Sequence, residues 1–204
     1  WGMIFAVLGA VSMTLGNVVA IAQTNIKRML AYSSIANAGY LMVGLAAVSS
    51  LGRSGVLFFL ASYALANLGA FIAIIAISNK TGSDEIADYS GMAKRAPVLA
   101  LVLTICLVSL IGIPPTGGFI AKFYIFNAAI QHDLLWLVII AVLNSVISAY
   151  YYLRIVKVMY TGEAASGEAV PSSIPLRAAL TITSLGVLLL GIYPWVVLRL
   201  AEAA

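Results

Sequence analysis

Charge is what this sequence has least of. Eleven Lys and Arg and seven Asp and Glu make up 9% of 204 residues, against about 25% in an ordinary soluble domain. With 63% hydrophobic residues and a mean hydropathy of +1.07, so few charged side chains cannot cover the surface such a chain would expose to water. A lipid-facing surface needs no such cover, so a soluble fold is excluded in favour of an integral membrane protein. Cysteine is nearly absent too: Cys106 alone, deep in an apolar run, excludes an internal disulfide framework and any Cys-based metal cluster. The single histidine, His132 beside Asp133, reads as a solvated loop residue. The net charge of +4 is scattered between apolar runs instead of forming a stripe, which excludes a nucleic-acid partner. No P-loop, dinucleotide fingerprint, HExxH or GxSxG sequence is present, so catalysis of the soluble type has no candidate constellation. The start has no basic segment followed by a short apolar core and cleavage site; it opens on Trp1, and the chain is read as a piece or processed product of something longer.

What the sequence does have is long apolar runs. A helix needs about 20 apolar residues to cross roughly 30 Å of hydrocarbon. Charge-poor windows of that kind lie at 1–22, 31–50, 54–78, 96–131, 134–153 and 178–198. Strict alternation is missing, which excludes a membrane β-barrel. The expected fold is therefore all-α: one membrane domain over 1–204 with six transmembrane helices at about 1–22, 31–50, 54–78, 97–131, 134–160 and 176–200. No period of 20 to 50 residues repeats within it. Six crossings put Lys27, Arg28, Lys80, Lys94, Arg95, Arg154, Lys157 and Arg177 on one side and Arg53 and Arg199 on the other, so the basic side is expected to be cytoplasmic, or the matrix side of an organelle. A loop of mixed charge, 79–95, and a Ser/Gly/Pro-rich mobile linker, 161–175, fall on that inner side.

The fourth window is too long for one straight span and too short for two. It contains Leu110-Ile-Gly-Ile-Pro-Pro-Thr-Gly-Gly-Phe-Ile-Ala-Lys122. Pro114 and Pro115 lack N–H groups, so the carbonyls of Leu110 and Ile111 lose their helical donors and the helix must stop. Gly112, Gly117 and Gly118 supply freedom to turn, and Thr116 can cap a restarting half-helix. A kink in a packing helix is the plainer reading, but two prolines flanked by three glycines exceed what a kink requires. A break lining a cavity, where freed carbonyls meet protein or trapped water, is the expectation.

Lys122 lies about ten residues, roughly 15 Å, before the loop at His132 and Asp133, too far to snorkel easily to the interface. An ammonium at mid-span costs at least about 2.5–3.5 kcal/mol, and something must offset that. Every acidic residue lies in a loop or tail, so this chain offers no buried carboxylate as a partner. A lysine whose charge responds to a nearby field is a candidate proton carrier; the competing reading is an interfacial anchor or a partner for an acid in another subunit. Other intramembrane polar groups could line a wet path to it: Ser33, Asn37 and Tyr40 in the second span, Tyr63 and Asn67 at i, i+4 in the third, Tyr124 beyond the break, and Asn144 and Ser148 at i, i+4 in the fifth. Each could equally serve only to bind a neighbouring helix. Ser12, Gly16 and Ala20 mark close packing of the first span, and the Tyr150-Tyr151-Tyr152 run beside Arg154 reads as an interfacial aromatic belt.

Gln23-Thr-Asn-Ile-Lys-Arg-Met-Leu-Ala-Tyr-Ser-Ser-Ile-Ala-Asn-Ala-Gly-Tyr40, Tyr63-Ala-Leu-Ala-Asn-Leu-Gly-Ala-Phe71, Asp88-Tyr-Ser-Gly-Met92 and above all Ser109-Leu-Ile-Gly-Ile-Pro-Pro-Thr-Gly-Gly-Phe-Ile-Ala-Lys-Phe-Tyr124 resemble the antiporter-like N-type subunits of proton-pumping NADH:quinone oxidoreductase, respiratory complex I. The first motif alone also fits Mrp-type cation/proton antiporter and membrane-hydrogenase subunits. The stretch around Lys122 favours the N type, since the related M type usually has glutamate there. The resemblance implies the C-terminal part of a 14-helix antiporter-like fold, with Lys122 as the lysine of an outward half-channel. It implies no cofactor in this chain, with NADH, FMN, iron–sulfur clusters and quinone in other subunits. Its partners are then other membrane subunits of a large hetero-oligomer, the bilayer, protons and internal water. Its place is the inner (plasma) membrane of a bacterium, ahead of an organellar inner or thylakoid membrane. Asn37 departs from the His or Gln that relatives often carry; an amide there orients water but does not titrate. The upstream half, with a buried glutamate, two lysines and a first broken helix, is absent, so the chain alone is not expected to be a complete pump. An Mrp-type antiporter or membrane-bound hydrogenase subunit and a structural membrane scaffold are the rival readings.

Overall fold

Capping side chains set some of the helix starts. In the computed structural model, which describes residues 1–163 and 173–203, α1 (Gly2–Ile21) is followed by α2 (Ile26–Ala46), where the Asn25 side chain accepts from the Arg28 N–H at 3.1 Å. The hydroxyl of Ser49 does the same for Gly52 at 3.0 Å at the start of α3 (Ser50–Thr81), which ends on Gly82 in the left-handed region, φ +70°. A 3-10 turn (Ile86–Tyr89) and α4 (Met92–Arg95) lead to α5 (Pro97–Ile111), α6 (Gly117–Ile130), α7 (Leu135–Thr161), α8 (Ile174–Ile192) and α9 (Trp195–Ala203). Helices α1, α2, α3, α7 and α8 are each long and apolar enough to cross a membrane. The half-helices α5 and α6, at 15 and 14 residues, are each too short to do so alone. The break expected at Pro114-Pro115 is there, between Ile111 and Gly117.

Two expectations need correction. The last span does not run as one helix over 176–200: α8 ends at Ile192, and the chain restarts as α9 after Pro194, which has no N–H to continue the ladder. The Tyr150-Tyr151-Tyr152 run is not an interfacial belt. Only Tyr150 is exposed; Tyr151 and Tyr152 are buried, because successive residues on a helix point about 100° apart and only one of the three can face outward here. The mobile linker read at 161–175 falls largely on residues 164–172, outside the described residues.

Helices α1 and α2 pack closely against each other. A side chain on Gly16 would put its Cβ 2.6 Å from the Ala36 nitrogen, so glycine is needed there for the two backbones to touch. Buried apolar residues form two clusters, one including Leu30, Ala66, Ile111 and Tyr151, the other Tyr40, Phe59, Ala121 and Ala141. Along α2, Asn37 comes between the two clusters; along α3, Ser62 does; along α7, Ser145 and Ser148 do; and the break itself separates Ile111 from Ala121. A polar layer thus crosses the bundle between two apolar ones.

At the end carrying most basic residues, Lys27 pairs with Asp84 at 2.8 Å and the Ser78 hydroxyl donates to the same carboxylate at 2.5 Å. Backbone bonds from Ile26 N–H to Asp84 (2.9 Å) and from Ile86 N–H to Thr24 (2.8 Å) join the loop after α3 to the start of α2. The Lys27 ammonium first, then the Ser78 hydroxyl, hold the Asp84 carboxyl below its ordinary value. At the opposite end, Ser54 donates to the Ala201 carbonyl at 3.3 Å, tying α9 to α3.

Candidate functional site

The break creates the site. Gly112 closes α5 at φ +90°, a conformation few other residues adopt, and its N–H returns to Val108 and Ser109. Thr116 stands at the N-cap of α6, but its hydroxyl donates to the Ile113 carbonyl at 2.7 Å and caps nothing. The expected capping role passes instead to Ser109, on the other half-helix, whose hydroxyl accepts from the Gly118 N–H at 3.2 Å. A Cβ on Gly118 would collide with the Ser109 carbonyl oxygen, so the absence of a side chain allows the two halves this close. The Pro114–Pro115 peptide bond is cis.

Lys122 is 6% exposed and reaches back across this gap. Its Nζ donates to the Ile111 carbonyl at 2.8 Å, one of the two oxygens that the prolines deprive of a helical donor. It donates also to the Ser145 hydroxyl of α7 at 3.1 Å and lies 4.2 Å from the centroid of the Tyr40 ring of α2. Ser145 in turn donates to the Tyr40 hydroxyl at 3.2 Å. An ammonium is thereby offered a backbone carbonyl, a hydroxyl and a π-face, and among the described residues no carboxylate pairs with it. Those contacts supply the offset that burial demands.

Two spaces meet at Lys122. One is a cavity of ≈ 10 Å³ whose lining includes Asn37, Ser62, Tyr63, Ser109 and Gly118. The other is a groove of ≈ 430 Å³ lined chiefly by apolar side chains, among them Phe119, Phe123, Val142 and Val146, with Ser145.

The remaining expected residues separate into groups. Asn37 donates to the carbonyl and hydroxyl of Ser33 at 3.0 and 3.3 Å, and Ser33 bonds the Tyr152 hydroxyl. Tyr63 donates to Ser34 at 2.8 Å and lines the small cavity. Asn144 and Ser148 do not reach the lysine. Asn144 donates to Thr14 at 3.2 Å and accepts from Asn17 at 3.1 Å, while Ser148 bonds the Ser145 carbonyl of its own helix at 2.8 Å. Tyr124 stacks on Phe58 with ring centroids 6.5 Å apart, a packing contact. Asn67 is half-buried, and among the described residues no hydrogen bond joins it to the lysine.

Sequence reasoning missed Ser145, Ser62, Ser109 and Asn17. Ser145, Ser148 and Tyr152 fall at i, i+3, i+7, a single helical face, and that spacing was the available signal. Asn17 is a fully buried amide in the first span; it also accepts from the Tyr151 hydroxyl at 2.8 Å.

Residues 1–148 match the family described as NADH:quinone oxidoreductase/Mrp antiporter, transmembrane. The chain belongs to that family. NADH-quinone oxidoreductase subunit N of Dehalococcoides mccartyi is 53% identical to this antiporter-family chain over its whole length, 209 aligned residues, and the chain spans 43% of that relative. A chain of respiratory complex I from Thermus thermophilus superposes with a TM-score of 0.84 at 32% identity, covering 97% of this chain and 45% of that one. A chain of the Mrp complex from Dietzia sp. superposes at 0.90 over 99% of this chain and 46% of its own; at 22% identity that likeness concerns the fold alone. The antiporter-family chain thus spans less than half the length of the relatives it matches, and it is a multi-pass membrane protein.

Proposed function

We propose that this chain is the C-terminal part of a proton-translocating membrane subunit of NADH:quinone oxidoreductase, with Lys122 as the proton carrier. The observation that carries the reading is the Lys122 ammonium buried against the Ile111 carbonyl in a helix break, with no carboxylate among the described residues paired to fix its charge. An amine so held can lose its proton and stay partnered, because the Ser145 hydroxyl, which accepts from the ammonium, can turn its hydrogen from Tyr40 to a neutral amine. In this reading α5 and α6 together make a sixth crossing, and residues 1–204 form one membrane domain. The half-channel is lined by the broken segment from Gly112 to Gly118 and by Asn37, Tyr40 and Tyr63. Charge movement elsewhere in the complex biases the protonation of Lys122. The redox groups belong to other subunits, the partners are other membrane subunits, and the membrane is the bacterial plasma membrane; the bacterial relatives favour this.

Replacing Lys122 by Met in the full-length subunit of the assembled complex tests the reading. Protons moved per electron pair should fall sharply, with Lys122→Arg also impaired, since an arginine does not release its proton. An undiminished proton yield in the Met variant refutes the role.

A further inference from the structure

Ser62 stands on α3 facing the helix break. It is 1% exposed, and its hydroxyl has no hydrogen-bond partner among the described residues. A buried hydroxyl left unpaired is costly, and most such groups have a partner. Ser62 lines the ≈ 10 Å³ cavity together with the polar side chains of Asn37, Tyr63, Ser109 and Lys122. That is about the least room that holds one water, and a buried water needs two to four polar neighbours. Lys122 points to the same need. An ammonium has three N–H donors; among the described residues two make hydrogen bonds, to the Ile111 carbonyl and the Ser145 hydroxyl, and the Tyr40 ring is a weaker partner that leaves room for a water as acceptor. A metal cation is disfavoured, since the lining includes a lysine and no carboxylate.

We propose that this cavity binds a single water molecule, and that Ser62 is the positioning residue holding it between Asn37 and Lys122. The role of that water in transport rests on Lys122 being the proton carrier; the site itself does not. Bound there, the water accepts the third N–H of Lys122 and joins the lysine to the α2–α3 side of the bundle. Ser145 and Tyr40 join it to α7 and α2 by a separate contact. Proton exchange at Lys122 then has two hydrogen-bonded neighbours, and Ser62 controls one of them.

Ser62→Thr and Ser62→Val in the full-length subunit of the assembled complex test this. The two variants have nearly the same shape and differ by the hydroxyl, so any packing loss is common to both. Per complex, the Val variant should pump about tenfold more slowly than the Thr variant, the effect of one lost hydrogen bond on a rate. Equal rates overturn the positioning role. A cryo-EM map of the unaltered complex at a resolution that shows waters should contain one within about 3.2 Å of the Ser62 Oγ. A map without it overturns the site, and this measurement decides the matter if the variants fail to assemble. If Lys122→Met pumps normally while the water is present, the carrier reading falls and the water site stands.

Discussion

At Lys122 the cost of burying a charge is met by three neutral groups, and their removal should have unequal effects. Ser145→Ala takes away an acceptor of the ammonium and the link to Tyr40, and pumping in the assembled complex should slow by about five- to tenfold. Tyr40→Phe keeps the ring over which Nζ lies and loses only the hydroxyl, whereas Tyr40→Leu loses the π-face, worth about 0.5–2 kcal/mol. Under the proposed function the Leu variant should therefore pump more slowly than the Phe variant, measured as the initial rate of proton transport per assembled complex in sealed vesicles. Equal rates in the two would show that the cation–π contact contributes nothing to transport. Asn144, whose neighbour Ser145 makes the contact with the lysine, should tolerate replacement by Ala with less effect on transport than Ser145→Ala, though its bonds to Asn17 and Thr14 give it a share in holding α1 to α7.

Contact between its two halves helps to hold the α5–α6 break. Ser109 on α5 reaches the Gly118 N–H at the start of α6, and that N–H would otherwise be one of the unpaired donors of a helix start. Gly118→Ala should force the halves apart and destabilise the subunit by about 1–3 kcal/mol, as overpacked cores do. Ser109→Ala should cost less, about 0.5–1.5 kcal/mol, because it removes one hydrogen bond and moves no backbone. Differential scanning fluorimetry of the purified complex should rank the two in that order. A Gly118→Ala complex melting with the unaltered one would mean the halves are not in the contact described. Thr at the N-cap is a good local choice for a cap, but the Thr116 hydroxyl donates to the Ile113 carbonyl instead of accepting from an α6 N–H.

For the whole molecule, the two ends of the bundle differ in charge and in how they are tied. Lys27, Asp84 and Ser78 cluster at the basic end, and Arg53 lies at the other, beside α9. Cysteines introduced at Lys94 and at Arg53 should be labelled from opposite sides of sealed vesicles, the former from the cytoplasmic side; labelling from one side would overturn the topology. Asp84 gives the basic end a pH dependence. Its folded value lies below the 3.8 of a free carboxyl, so its contribution is complete above that pH and is lost as pH falls through the lowered folded value. Amide exchange at Ile26 and Ile86, which close the bridge to this loop, should therefore speed up under acid conditions beyond the intrinsic pH effect. Asp84→Asn should exchange faster at neutral pH and lose the acid response.

The membrane class, the helical character, the interruption at Pro114-Pro115 and the burial of Lys122 were all determined by the sequence alone. Each follows from a local cause: hydropathy over a window, the missing N–H of proline, the distance along a helix to the nearest interface. The residues that touch the lysine were decided only by the tertiary structure. Whether Asn144 or Ser145 meets Lys122 depends on a rotation of α7 by one residue, about 100°, and that rotation is set by packing against α1, α2 and α5 together. The same rotation turns Tyr151 and Tyr152 inward to Asn17 and Ser33 and leaves Tyr150 facing out. Side-chain partners across helices are non-local, and a helix whose polar and apolar residues are spread around its circumference does not declare its inward face until its neighbours are in place.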